Sequence, residues 1–166
     1  REVDPDKRVF ILSRAAFAGQ QRAAAAFWSG DIVPRWEDFR EQISGLVNAS
    51  MAGAPNVSFA IGGFSPEKRY EDKDPAHLAE WRELSLRWFQ HGAFVPIFRL
   101  HGQFPYREIW EIAPEGTPHY DSFVHYLKLR YTLLPYIYTL AGDTYQQDGT
   151  ILRTLAIAFP TDAKVH

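Results

Sequence analysis

Two rhythms of apolar residues alternate along this chain. Val9-Phe10-Ile11-Leu12, Val57-Ser58-Phe59-Ala60-Ile61 and Phe94-Val95-Pro96-Ile97-Phe98 are short and nearly continuous, the pattern of strands buried on both faces in a parallel sheet. The first predicts a strand over residues 8–13. Phe27-Trp28 is shorter and leads into Ser29-Gly30-Asp31, where a strand can end and present one acid. Between these runs the spacing is helical. Residues 19–26 are alanine-rich and predict a short helix. Trp36, Phe39, Ile43, Leu46 and Val47 share one face of a helix over residues 36–50, with Glu37 and Asp38 where the helix dipole favours acids. Asp74-Pro75 starts the next helix, an acidic cap before a proline at the first helical position. Its inward stripe is Leu78, Trp81, Leu84 and Trp88, and His91-Gly92 ends it, with Gly92 predicted as a left-handed cap. Residues 121–140 predict a helix kinked at Pro135. Residues 65–74 read as a surface loop. Residues 102–118 form a loop long enough to be functional. After the Asp148-Gly149 turn, residues 150–159 predict a strand that opens a new unit.

Strand and helix therefore alternate through four units, followed by an extra strand. That order implies a parallel sheet with right-handed crossovers. Arg14, Asp31, the Gly62-Gly63-Phe64 turn and His101 each fall just past a predicted strand. In a (β/α) barrel, that is the face on which chemistry is built.

Composition narrows the chemistry without naming it. The chain has 166 residues and a formal net charge of -2, so nothing in its charge points to nucleic acid or an anionic membrane as partner. With no cysteine, disulfides and thiolate metal sites are excluded. No apolar run approaches a membrane span. The segment Arg1-Glu2-Val3-Asp4-Pro5-Asp6 is charged and carries no secretory pattern; the compartment stays open, with a bacterial periplasm or cell surface one setting. Aromatic residues make up 15% of the chain, and such rings suit both core packing and sugar faces.

Each candidate residue has a plain reading beside the functional one. Asp31 after Gly30 is the common makeup of a turn or cap. Arg14 fits a solvated strand end, and Trp28 and Phe64 fit a core. His101 has no second histidine or carboxylate at metal-ligand spacing, so no metal or other cofactor is expected. Ser13 and Ser29 lack a nucleophile elbow, and Gly62-Gly63 is too short for a dinucleotide fingerprint.

Taken in order, Leu12-Ser13-Arg14, Gln21-Arg22, Trp28-Ser29-Gly30-Asp31, Ile61-Gly62-Gly63-Phe64, Arg87-Trp88, Gly92-Ala93-Phe94, Arg99, His101-Gly102 and Leu134-Pro135-Tyr136-Ile137-Tyr138 resemble glycoside hydrolase family 31. Residues 70–106, with Trp81-Arg82-Glu83 and Gly102-Gln103-Phe104-Pro105-Tyr106, are most similar to bacterial α-xylosidases that act on xyloglucan fragments. The resemblance implies an α/β fold: the C-terminal half of a (β/α)8 TIM barrel over residues 1–148, and the start of a C-terminal β-sandwich over residues 149–166. It implies a retaining α-glycosidase in which Asp31 is the acid/base, while Arg14, Trp28, Phe64 and His101 bind the sugar. Retention needs a second carboxylate to attack carbon; in the family it lies on a strand before this stretch. The partners implied are an oligosaccharide substrate and either the remainder of the barrel or a second copy of the chain. Ala60 stands where the family usually has aspartate, Leu100 where it has serine, and Ala158 where it has an acid. The alternative is a non-catalytic sugar-binding or structural module derived from the same barrel.

Overall fold

The computed structural model describes residues 4–23 and 25–165. Arg1, Glu2 and Val3 of the charged N-terminal segment, Ala24 of the alanine-rich stretch, and His166 lie outside the described residues. Among the described residues, β1 (Ile11–Ser13), β2 (Ala25–Trp28) and β3 (Val57–Ser58) form a parallel sheet in that order. Ile61 and Leu100 add one further parallel bridge, with the Ile61 N–H donating to the Arg99 carbonyl at 3.1 Å. The chain thus passes four times in the same direction, as the alternation predicted.

The alanine-rich stretch divides differently from the expectation. Residues Gln20–Ala23 form a 3-10 turn, and Ala25 and Ala26 belong to β2. Pairing with β1 and β3 outweighs alanine's helical preference, which is worth only tenths of a kcal/mol per residue. One flank of the next helix, α1 (Trp36–Met51), shows the consequence. Leu46 is buried and Phe39 stacks on Trp88 at 5.2 Å, but Trp36 and Ile43 remain 41% and 39% exposed. Among the described residues, the β1–β2 connection carries a 3-10 turn and no α-helix to cover them.

α2 (Pro75–Gly92) begins where its sequence says it should. The Asp74 carboxylate accepts the Ala76 N–H at 2.8 Å, with Pro75 in the first turn. Leu84, Leu86, Trp88 and Phe89 are buried with Val57, Phe59, Ile61 and Phe123, which centre the core, while buried Trp81 meets the Tyr70 ring at 5.1 Å. Gly92 is not a left-handed cap. It lies inside the helix, which ends at right-handed Ala93. A Cβ at Gly92 would stand 2.5 Å from the Ile61 Cδ1, so the glycine is there for close packing against the sheet.

The third apolar run, residues 94–98, forms no strand ladder. Pro96 has no N–H to give. Buried Arg130 takes the neighbouring carbonyls, donating to Ala93, Val95 and Pro96 at 3.1, 2.6 and 2.8 Å. Arg130 comes from α4 (Pro118–Gln147), capped by the Thr117 hydroxyl and continuing through Pro135 to left-handed Asp148. The 102–118 loop contains one short helix, α3 (Ile109–Ile112). Residues 150–159 do not make the expected strand. Thr154 caps a short helix, α5 (Leu155–Ala158); among the described residues no strand lies beside this stretch to satisfy a lone strand's backbone.

Candidate active site

The segments that leave the sheet are tied to one another by their backbones. The Phe64 N–H donates to the Ile32 carbonyl at 2.7 Å, and the Gln103 N–H donates to the Phe64 carbonyl at 2.8 Å. Loops separated by dozens of residues therefore meet just past β2, β3 and the Ile61–Leu100 bridge. Two glycines permit it. Gly30 turns the chain at φ 98° and brings Asp31 out of β2. Gly63 has φ 66°, and a Cβ there would stand 2.6 Å from the Pro34 ring. An L side chain would be strained by that conformation and would push the two loops apart.

All five residues singled out from the sequence converge there. Trp28, at the end of β2, meets Phe64 at 6.4 Å and His101 at 5.9 Å in edge-to-face contacts, and Phe64 meets His101 at 5.1 Å. The Arg14 guanidinium lies 5.7 Å from the Trp28 ring and donates to the Asp31 carboxylate at 3.3 Å. Arg14 and Asp31 remain partly exposed, so both can be reached by a ligand. The group combines a carboxylate, a guanidinium, an imidazole and two flat apolar rings. A sugar needs such a mixture, with faces that pack on rings and edges that hydrogen-bond. Burial holds the His101 imidazole below its ordinary pKa; the Arg99 charge adds to this and Asp31 opposes it.

Two arginines of the site were not assigned a role from the sequence. Arg99 lies 5.0 Å from the Trp28 ring, on the side chain's second guanidinium contact after Arg14. Its Nε and Nη2 are buried and have no acceptor among the described residues, and burial lowers its pKa. The signal was present: residues two apart on an extended chain point the same way, so Arg99 accompanies His101. Arg107 is buried and donates to the carbonyls of Gly63 at 2.9 Å and Gln103 at 2.8 Å, and also to that of Pro105. Burial brings its pKa down to about 10. Nothing in the local sequence marks a loop arginine as a carbonyl clamp.

Residues 1–140 match the glycosyl hydrolases family 31 TIM-barrel domain. The chain belongs to glycoside hydrolase family 31. Its relatives in the family include an α-xylosidase of Saccharolobus solfataricus, 40% identical over 97% of this chain and 21% of that protein. The crystal structure of a family 31 α-xylosidase from Xanthomonas citri superposes with a TM-score of 0.93 at 68% identity, over 99% of this chain and 18% of that one. A soil-metagenome α-xylosidase solved with xylose gives 0.82 at 32% identity, over 99% of this chain and 26% of that one. The chain thus spans about a fifth of the length of the relatives it matches. The α/β fragment of a family 31 TIM-barrel domain, resembled in the sequence, is what the molecule is.

Proposed function

We propose that this chain is the C-terminal half of the catalytic barrel of a longer retaining α-glycosidase, an α-xylosidase that releases xylose from xyloglucan oligosaccharides. The observation that carries this reading is the convergence of Trp28 at the end of β2 with Arg14, Asp31, Phe64 and His101 from the segments that leave the sheet. The α-xylosidases among the relatives support the choice of sugar. Residues 149–166 are assigned to the start of a following β-sandwich domain.

In this mechanism Asp31 is the acid/base. Its carboxylic acid gives a proton to the glycosidic oxygen as the C1–O bond breaks. A carboxylate oxygen from outside these residues forms a bond to C1 on the opposite face, leaving a glycosyl-enzyme. Water then attacks C1, giving its proton to the Asp31 carboxylate, and the enzyme–sugar bond breaks. Trp28 and Phe64 pack on the sugar's faces. Arg14 and His101 bind hydroxyls, and those hydrogen bonds strengthen as charge develops at the transition state. This chain by itself supplies one carboxylate of the pair and is expected not to turn over.

The test is Asp31→Ala in the full-length enzyme. Hydrolysis of α-xylosides with poor leaving groups should fall by about 10²-fold or more, the usual worth of a positioned acid. Aryl xylosides whose leaving group departs unprotonated should lose much less in the first step, and azide should accelerate the second. Equal losses for good and poor leaving groups, with no azide rescue, would make Asp31 a structural or hydroxyl-binding residue instead. A non-catalytic module would show no hydrolysis before mutation.

A further inference from the structure

Beyond His101 the chain places two aromatic rings in water and then holds them rigidly. Phe104 and Tyr106 are 53% and 62% exposed, their centroids 5.4 Å apart and their planes 87° from each other. Large exposed rings usually lie on mobile segments or face a partner. This segment is fixed. The Gln103 N–H is bonded to the Phe64 carbonyl. Arg107 reaches back to Gly63, Gln103 and Pro105, while its guanidinium lies 4.7 Å from the Trp81 ring. Gly102 passes so close to the Gly63 turn that a Cβ on it would stand 2.7 Å from the Gly63 carbonyl oxygen. Both ends of the loop are thus anchored to the turn that presents Phe64 to Trp28 and His101. The polar groups beside the rings, the exposed Gln103 amide and the Tyr106 hydroxyl, suit a hydroxylated ring better than an apolar protein segment. Aromatic residues held in place bind at low entropic cost.

We propose that Phe104 and Tyr106 form an outer sugar subsite on the leaving-group side, with the rings as two walls against a neutral sugar of the oligosaccharide. This rests on the α-xylosidase reading. If Trp28, Phe64, Arg14 and His101 hold the terminal xylose, any other sugar bound beside them belongs to the part released. The subsite makes the enzyme prefer a xylose-capped oligosaccharide over a small xyloside, and Arg107 serves it as a positioning residue.

The experiment compares Phe104→Ala, Tyr106→Ala and Tyr106→Phe in the full-length enzyme on two substrates, p-nitrophenyl α-xyloside and a xyloglucan oligosaccharide. Losing one stacked ring should raise KM for the oligosaccharide by about ten-fold with kcat nearly unchanged. The aryl xyloside should change by less than about two-fold, and Tyr106→Phe should keep most of the oligosaccharide affinity. Unchanged KM for the oligosaccharide overturns the proposal. So does a parallel loss on both substrates accompanied by a lower melting temperature, the result expected if the rings pack against another part of the polypeptide. If the unmutated enzyme cleaves neither substrate, the α-xylosidase reading fails and this subsite falls with it.

Discussion

Arg99 has no carboxylate partner among the described residues, and position 60 is where a balancing charge fits. Two of its guanidinium nitrogens are buried without an acceptor among the described residues, and the guanidinium lies 5.0 Å from the Trp28 ring. The Ile61–Leu100 bridge places fully buried Ala60 beside Arg99 in the parallel register, where neighbouring side chains project to the same face about 5 Å apart. Ala60→Asp therefore brings a carboxylate to the guanidinium. Opposite charges about 4 Å apart attract by about 4 kcal/mol at an effective dielectric constant of about 20. Desolvating the new carboxylate costs several kcal/mol. The two nearly cancel, so the single variant should stay within about 1.5 kcal/mol of the parent. In an Arg99→Met background the same carboxylate is buried alone, and should cost about 3–5 kcal/mol. The coupling energy between the positions is then about 4 kcal/mol. It can be read from denaturant midpoints of the parent, both single variants and the double variant of the full-length enzyme, with equal m-values as the check that one transition is compared. Effects that add to within about 0.5 kcal/mol would refute the pairing. The same cycle measures what a carboxylate at position 60 is worth to this site.

Two further outcomes follow from the packing. Gly92→Ala gains about 1 kcal/mol of helix propensity, but its Cβ would meet Ile61 side-chain atoms at 2.5 and 2.9 Å, and overpacking costs about 1–3 kcal/mol; the denaturant midpoint should fall, and a rise would show that the sheet yields. Burial lowers the His91 pKa from 6.5, and the ring stacks on Phe59 at 5.6 Å. The unfolded chain therefore takes up the proton first, and stability complete above pH 6.5 is lost as pH falls toward the folded value. His101 shifts in the same direction, so His91→Phe should reduce, not abolish, the loss of stability below pH 6.5; an unchanged acid slope would show that His91 takes up its proton equally in both states.

Local chemistry made much of this protein legible in its sequence. The Asp74-Pro75 start of α2 needs only its own cap and proline geometry. The Trp28-Ser29-Gly30-Asp31 turn needs an apolar strand followed by a residue free to take positive φ, and Gly30 takes it. The ordered placement of Arg14, Asp31, Phe64 and His101 after successive strands implied that they would meet, because parallel strands deliver their C-terminal ends to one face. What the sequence misread was decided by partners far along the chain. Arg130 takes the carbonyls of residues 93, 95 and 96 and keeps that run from pairing as a strand. Gly92 reads as a helix end until Ile61 is placed against it. The alanines of β2 follow their sheet neighbours, and Leu155–Ala158 turns helical where, among the described residues, no strand lies beside it. In each case a residue's intrinsic preference is worth less than one hydrogen-bonded or close-packed neighbour. A composition or a spacing cannot name that neighbour before the chain has folded.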